Sequence, residues 1–309
     1  MSLSIRKLRA DGAAALQAAG RPAWQLLCLY TGVSVGVNLL ANLIGLLLSV
    51  RLDNMTGLSA VGARSTLMAV QTVLSMALAA LSPMWDGGYA ACSLRLSRGE
   101  KPGFRGMLQG FTQWRKILVY FLIFVLQAVG IGYMVLMLVS FLYVSTPLSA
   151  GLTLDVLYAV ESSGFTAQTL APLLPMLLMG MAAILAVVLF LFYRYRLFYF
   201  LLNDHSDQRS GFLMGLSAGI TKGFRVSMLR LDLSYWWYYT LVFLASLIPN
   251  ADLFLGLAGV TTTPWLTAGL YIAGSLVMAA AYLLGRNRVQ FAWTAAYGEI
   301  LARHHVEPS

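Results

Sequence analysis

Residues 24–50 read WQLLCLYTGVSVGVNLLANLIGLLLSV, 27 positions without one charged side chain. A bilayer's hydrocarbon core is about 30 Å thick and takes roughly 20 apolar residues of helix to cross, so this stretch predicts a membrane-spanning helix from Trp24 to Val50. Arg6, Lys7 and Arg9 precede it as they would precede a secretory signal. A signal's apolar region is only about 7–15 residues long, however, and the stretch therefore reads as a retained first span.

Working outward, five more runs of this kind follow: Thr66 to about Leu94, Ile117 to Tyr143, Ala171 to about Tyr193, Tyr235 to about Val260, and Leu266 to about Leu284. With 59% hydrophobic and 11% charged residues and a mean hydropathy of +0.74, the chain does not have the composition of an ordinary water-soluble domain. Spans longer than the minimum imply tilt rather than further crossings. The expectation is an all-α fold, a single domain over 1–309. It is a polytopic membrane helix bundle of six transmembrane helices arranged as three hairpins, with amphipathic connectors at the interface.

The distribution of charge orients that bundle. Of 21 Lys and Arg residues, 19 fall before the first span, between the second and third, between the fourth and fifth, or after the sixth. Arg51 and Arg64 alone lie in the other gaps. Lys and Arg concentrate in cytoplasmic loops, so the N-terminal basic segment 1–23, the connectors of about 95–116 and 194–234, and both termini are expected inside. The connectors of about 51–65, 144–170 and 261–265 are expected outside. On that division 19 basic residues face 8 acidic ones inside, against 2 and 4 outside. Such a balance implies membrane lipid as partner, specifically an anionic inner leaflet, and no nucleic acid.

The connector 194–234 carries the clearest pattern outside the spans. Leu213, Leu216, Ile220, Phe224, Met228 and Leu231 stay within about half the circumference of a helix at 100° per residue, with Thr221, Lys222 and Arg225 opposite. That pattern predicts an amphipathic helix on the inner interface, with Lys222, Arg225, Arg230, Trp236 and Trp237 as candidate contacts to lipid or to a membrane-protein partner. Gly211, Gly215, Gly219 and Gly223 recur every four residues, as either a close-packing stripe or a set of breaks and caps. Asp232 or Ser234 is placed to cap the fifth span. Gly32-x-x-x-Gly36 and Gly269-x-x-x-Ala273 are candidates for close approach of helices within the membrane. The two basic connectors echo each other weakly (Gly103, Phe104, Leu108 against Gly211, Phe212, Leu216), as do Arg194-Tyr195-Arg196 and Arg286-Asn287-Arg288. An internal duplication and chance similarity both fit these echoes.

Catalytic chemistry has little to work with in this chain. His205, His304 and His305 lie near no Cys pair or acidic cluster, no H-E-x-x-H motif occurs, and no phosphate loop ends in Lys-Ser/Thr. The expectation is no metal, no cofactor, no catalytic residue and no enzyme. Cys28 and Cys92 read as small packing residues in the spans rather than as a disulfide. The candidate for a substrate site is Asp86, in Pro83-Met84-Trp85-Asp86-Gly87-Gly88. It is either a solvated carboxylate at a kinked span end, the simpler reading, or a buried one that needs a cation, with Arg95, Arg194 and Arg196 as possible partners.

The segment from Ala218 to Trp236, with Lys222-Gly223 followed by a basic residue and then Leu231-Asp232-Leu233-Ser234 and an aromatic residue, resembles the signature of the bacterial membrane family catalogued as domain of unknown function 975. Arg6 to Trp24, Tyr193 to Asp204 and Ala295-Ala296-Tyr297 to Leu301 fit the same pattern in order. The region from Val144 to Pro172 and that around Thr262 to Trp265 fit it poorly. The resemblance implies a multi-pass protein of a bacterial inner membrane and carries no active site. The function expected is a non-enzymatic accessory or scaffold component acting through lipid or protein contacts. The alternative is a small-molecule or lipid transporter with a cavity near Asp86 and Arg194/Arg196.

Overall fold

A computed structural model describes residues 3–53, 58–145, 174–251, 255 and 263–304. Among them the structure is all-helical. Helix α1 is Ile5–Asp53, kinked at Gly20 (φ 56°), α2 Leu58–Ser97, α3 Phe104–Met107, α4 Gln109–Thr112, α5 Trp114–Val144, α6 Leu174–Tyr195 and α7 Phe198–Asp204. The chain continues through α8 Ser210–Ile220, α9 Arg225–Leu233, α10 Trp236–Leu247 and α11 Pro264–Ala281. A π-helical turn over Tyr282–Arg286 then leads without a break into α12, Asn287–His304. The expected connector 144–170 lies almost wholly outside the described residues, as does the far part of the expected fifth span.

Among the described residues five helices are long and apolar enough to cross a bilayer: those of Ile5–Val50, Ser65–Ser97, Trp114–Val144, Leu174–Asp204 and Pro264–His304. Only 6% to 17% of each apolar window is buried within the chain, so the large side chains of these windows face outward, as lipid requires. This is a membrane protein. Of the expected fifth span the structure describes the 12 residues of α10 and a short 3-10 turn, Ile248–Asn250.

The packed core lies at one end of the bundle, the end where α1 begins and α12 finishes, and is called the basic end below. There Leu8, Phe198, Leu201, Leu213, Met228, Trp293, Ala296 and Tyr297 form one cluster and are almost wholly inaccessible. Backbones come very close at this end. A Cβ on Gly12 would lie 2.7 Å from Ala292 Cα in α12, and one on Gly110 of α4 would lie 1.8 Å from the Met84 carbonyl oxygen of α2. Helix α2 closes with Gly99 in the left-handed region (φ 83°), where Gly99 N–H donates to Leu96 O at 3.1 Å and Glu100 N–H to Arg95 O at 3.0 Å. That pair of bonds satisfies the last carbonyls and stops the helix without a proline.

Several expectations are corrected here. The amphipathic connector is two helices, α8 and α9, separated at Gly223 (φ 90°), and its apolar face of Leu213, Ile220, Phe224, Met228 and Leu231 packs on protein instead of lying on lipid. Thr221, expected on the polar face, is fully buried, and its one hydroxyl proton is satisfied there by Ser217 O at 2.8 Å, with Arg194 O also within reach at 3.2 Å. The glycine stripe has nothing packed against it at Gly211, Gly215, Gly219 or Gly223, which leaves the break at Gly223 as its structural role. Nor does anything approach Gly32, Gly36 or Gly269 within 4 Å.

Gly110→Ala and Gly12→Ala should therefore each lower stability by about 1–3 kcal/mol or prevent folding, because a methyl group would meet backbone that cannot move aside. Gly32→Ala and Gly36→Ala should leave the thermal midpoint in detergent unchanged or slightly raised. Equal sensitivity at the two pairs would contradict the packing described.

Candidate functional site

At the basic end, three carboxylates collect hydrogen-bond donors from helices far apart in sequence. Asp86 sits on α2 just after the tightly packed Pro83, Met84 and Trp85. Its Oδ1 accepts the Tyr30 hydroxyl of α1 at 2.6 Å and Nη2 of Arg286 at 2.9 Å, and the same Nη2 lies 3.2 Å from the Tyr30 oxygen. The Arg286 guanidinium stands over the rings of Tyr30 at 5.0 Å, Tyr89 at 5.7 Å and Tyr282 at 5.9 Å. Arg286 is the last residue of the π turn, a departure from the α-helical repeat that recurs at functional positions. Its Nε is buried without an acceptor. The following residue, Asn287, accepts the Tyr89 hydroxyl and donates to Ala23 O at 3.1 Å.

Asp86 and Arg286 form part of the wall of a cavity of about 350 Å³, enclosed by α2, α5, the α6–α7 junction, α10 and α12. Its other walls are chiefly aromatic, including Tyr120, Phe124, Phe192, Tyr199 and Trp293. Arg196, in the turn between α6 and α7, also lines it. The guanidinium of Arg196 is 4.5 Å from the Phe192 ring centre and 4.6 Å from that of Trp293. Among the described residues no carboxylate forms an ion pair with Arg196. A guanidinium between two rings is held by the negative faces of their π systems and keeps its edge free for an anion.

The other two carboxylates are structural. Asp232, buried, accepts Tyr193 Oη at 2.8 Å, Tyr239 Oη at 2.7 Å and Trp293 Nε1 at 2.8 Å, which ties α6, α10 and α12 to α9. Asp204, equally buried, holds both terminal nitrogens of Arg98 at 2.7 Å and the Tyr297 hydroxyl at 2.9 Å. Hydrogen bonding to Asp204 raises the pKa of Arg98 above its ordinary value.

Of the expected site residues, Asp86 and Arg196 meet in the cavity and Arg194 does not. Arg194 stacks on Tyr195 at 5.3 Å, and its carbonyl accepts from Ser217 and Thr221. The cation beside Asp86 is Arg286 rather than Arg95, Arg194 or Arg196; Arg95 lies 3.9 Å from Glu100 instead. Asp232 caps nothing, since the residue before α10 is Tyr235, no side chain caps that helix, and Ser234 Oγ bonds back to Leu231 O. Lys222 and Arg230 are exposed, Arg225 stacks on Phe190 at 4.8 Å, Trp236 is 65% exposed and Trp237 packs partly against the core, all outside the cavity. Among the described residues no group of His, Cys, Asp and Glu is arranged to hold a metal. Cys28 and Cys92 are both free.

Arg286 stands out in the sequence only as part of the Arg286-Asn287-Arg288 echo and not as a site residue, because it follows the last apolar run and counts as a tail residue there. The usable signal was the absence of any proline between Leu266 and Arg303, which allows one helix to run through the span and carry Arg286 into the bundle. Tyr30 and Trp293 left no such signal, since an aromatic residue in a span is ordinarily packing.

Asp232→Ala should cost about 3 kcal/mol or more, by stranding three buried donors at about 1–3 kcal/mol each. Tyr193→Phe removes a single donor and should cost about 1 kcal/mol. Thermal denaturation in detergent reads the order, and equal losses would mean that Asp232 is not the shared acceptor. Neither a protein family, nor a characterised protein, nor a solved structure matches the chain.

Proposed function

We propose that this protein is a non-enzymatic, multi-pass membrane protein that takes an amphiphile with an anionic head into the cavity at its basic end, as a carrier of a lipid or a lipid-like small molecule. The observation that carries this reading is Arg196: a guanidinium between Phe192 and Trp293, lining a mostly aromatic cavity, with no carboxylate paired to it among the described residues. A cation kept in such surroundings is costly, and a bound anion offsets the cost. Asp86 is already engaged by Arg286 and Tyr30, so Asp86, Arg196 and Arg286 together leave the cavity one net positive charge. The rings supply a surface for the apolar part of the ligand.

In this proposal the bundle has six spans, the sixth being completed by the chain beyond α10. The basic end faces the cytoplasm of a bacterial cell, in agreement with the distribution of Lys and Arg. The resemblance to domain of unknown function 975 belongs to the same proposal and assigns no activity. An accessory role is the second reading. It is favoured by the exposed Val226, Leu233 and Trp236 near Lys222 and Arg230, a mixed apolar and basic surface suited to anionic lipid or to a partner protein.

Purified protein should be stabilised by a short-chain phosphatidic acid or a fatty-acid anion more than by the matching zwitterionic or cationic amphiphile. Ligand at about 100 times its Kd adds about 2.7 kcal/mol, a rise of several degrees in thermal midpoint. Arg196→Gln should remove the difference while the unliganded protein still folds. Equal stabilisation by heads of either charge would overturn the reading. For orientation, a membrane-impermeant thiol reagent added outside should modify a cysteine placed at Thr153, outside the described residues, and spare one placed at the exposed Gln208; the reverse pattern inverts the topology.

A further inference from the structure

Away from the basic end, three spans turn hydrogen-bonding side chains toward one another. On α1 these are Ser34, Asn38 and Asn42, four residues apart and so on one face. On α2 they are Gln71, Ser75 and Ser82, whose spacing of four and seven also returns to a single face and leads on to Asp86. Thr267 and Ser275 continue the pattern on α11. Between these faces lies a cleft of about 680 Å³, joined to a smaller space of about 190 Å³ that shares Asn38, Asn42 and Ser82 with it. Tyr30 and Tyr282 line the smaller space at its basic-end limit.

Part of the polar lining of this cleft is already bonded within its own helix and part is unused; Ser49 Oγ donates to Leu46 O at 2.8 Å. Asn38 donates to Ser34 O at 2.7 Å and Thr267 to Thr263 O at 3.4 Å. Asn42, Gln71, Ser75 and Ser82 make no side-chain hydrogen bond among the described residues. An amide or hydroxyl facing hydrocarbon without a partner costs several kcal/mol, and four of them in one place would be prohibitive unless water fills the cleft. At about 30 Å³ each, 680 Å³ holds on the order of twenty waters. The cleft's lining on α2 runs from Gln71 to Ser82, about 16 Å at 1.5 Å per residue, and Asp86 lies one turn beyond.

We infer that α1, α2 and α11 enclose a water-filled vestibule that admits small hydrophilic solutes and polar head groups from the face opposite the basic end. The cluster of Tyr30, Asp86 and Arg286 is the gate between this vestibule and the aromatic cavity. The trio stands between the two spaces: Tyr30 borders the vestibule side, Asp86 and Arg286 border the cavity side, and the hydrogen bonds that join them close the passage. The buried Nε of Arg286, lacking an acceptor, is a donor that an arriving anion or water can satisfy. What passes the gate rests on the carrier reading above, whereas the vestibule and the gate do not depend on it.

The test is cysteine accessibility in a Cys28→Ser, Cys92→Ala background reconstituted in vesicles, with a charged, membrane-impermeant methanethiosulfonate added to one face at a time. A thiol reacts as thiolate, which forms in water and not in hydrocarbon. Asn42→Cys and Ser75→Cys should react at least tenfold faster than Leu40→Cys and Val73→Cys, which point outward at 61% and 66% exposure, and only from the face opposite the one that labels a cysteine at the exposed Gln208. Equal, slow reaction at all four positions overturns the vestibule. Ala90→Cys, in the aromatic cavity, should be protected from that face and become reactive when Tyr30→Phe or Arg286→Ala is added. Protection unchanged in the folded Tyr30→Phe protein overturns the gate, and this milder change covers the case in which Arg286→Ala does not fold. No amphiphile is needed in these measurements, so a failed carrier reading leaves their outcome intact and a failed vestibule leaves the amphiphile test intact.

Discussion

Within the thickness of a membrane there is little water to complete a hydrogen bond, and the structure is organised around that constraint. Asp204 and Asp232 are buried, and six hydrogen bonds from five residues outside their own helices converge on them, two of the six from the terminal nitrogens of Arg98. These donors come from α6, α10, α12 and the residue after α2. The carboxylates thus act as ties: α9 is bound to α6, α10 and α12 through Asp232, and α7 to the end of α2 and to α12 through Asp204. Removing a tie strands charged or polar groups where nothing else can satisfy them, a larger penalty than the loss of one packing contact.

This arrangement gives the bundle two unlike ends. At the basic end, rings and aliphatic side chains pack as in a soluble core, and glycines at positions 12 and 110 let backbones touch. Along the rest of the spans few residues are buried, and the helices turn leucine, valine and methionine outward. Association of helices in lipid gains nothing from burying apolar surface, since lipid tails are as apolar as leucine. Fixed geometry is therefore concentrated where polar ties and close backbone contact occur, and the helices separate enough beyond it to leave space among α1, α2 and α11.

Asp86 belongs to both regions. Its partners resemble those of the structural carboxylates, an arginine and a tyrosine, yet its side chain keeps a third of its exposure and borders a cavity. Asp204 and Asp232 show what full satisfaction looks like in this protein. Beside them, the partial satisfaction of Asp86 and of Arg286, together with Arg196, to which no carboxylate is paired among the described residues, is what supports the proposed ligand site.

The length and charge pattern of the apolar runs determined by themselves that this is an all-helical membrane protein, because crossing hydrocarbon requires about 20 uncharged residues and leaves a continuous helix as the economical way to satisfy their backbone. Asp86 and Arg196 were legible as candidates for a related reason, since an ionisable residue in or beside a span is rare enough to stand out. The tertiary structure alone decided that Arg286 pairs with Asp86, that Asp232 collects three donors instead of capping a helix, and that the apolar face of α8 and α9 packs on protein. Arg286 and Asp86 are 200 residues apart, and two of the three donors to Asp232, Tyr193 and Trp293, lie 39 and 61 residues from it. Helical periodicity reports which residues share a face of one helix; it carries no information about which other helix that face will meet.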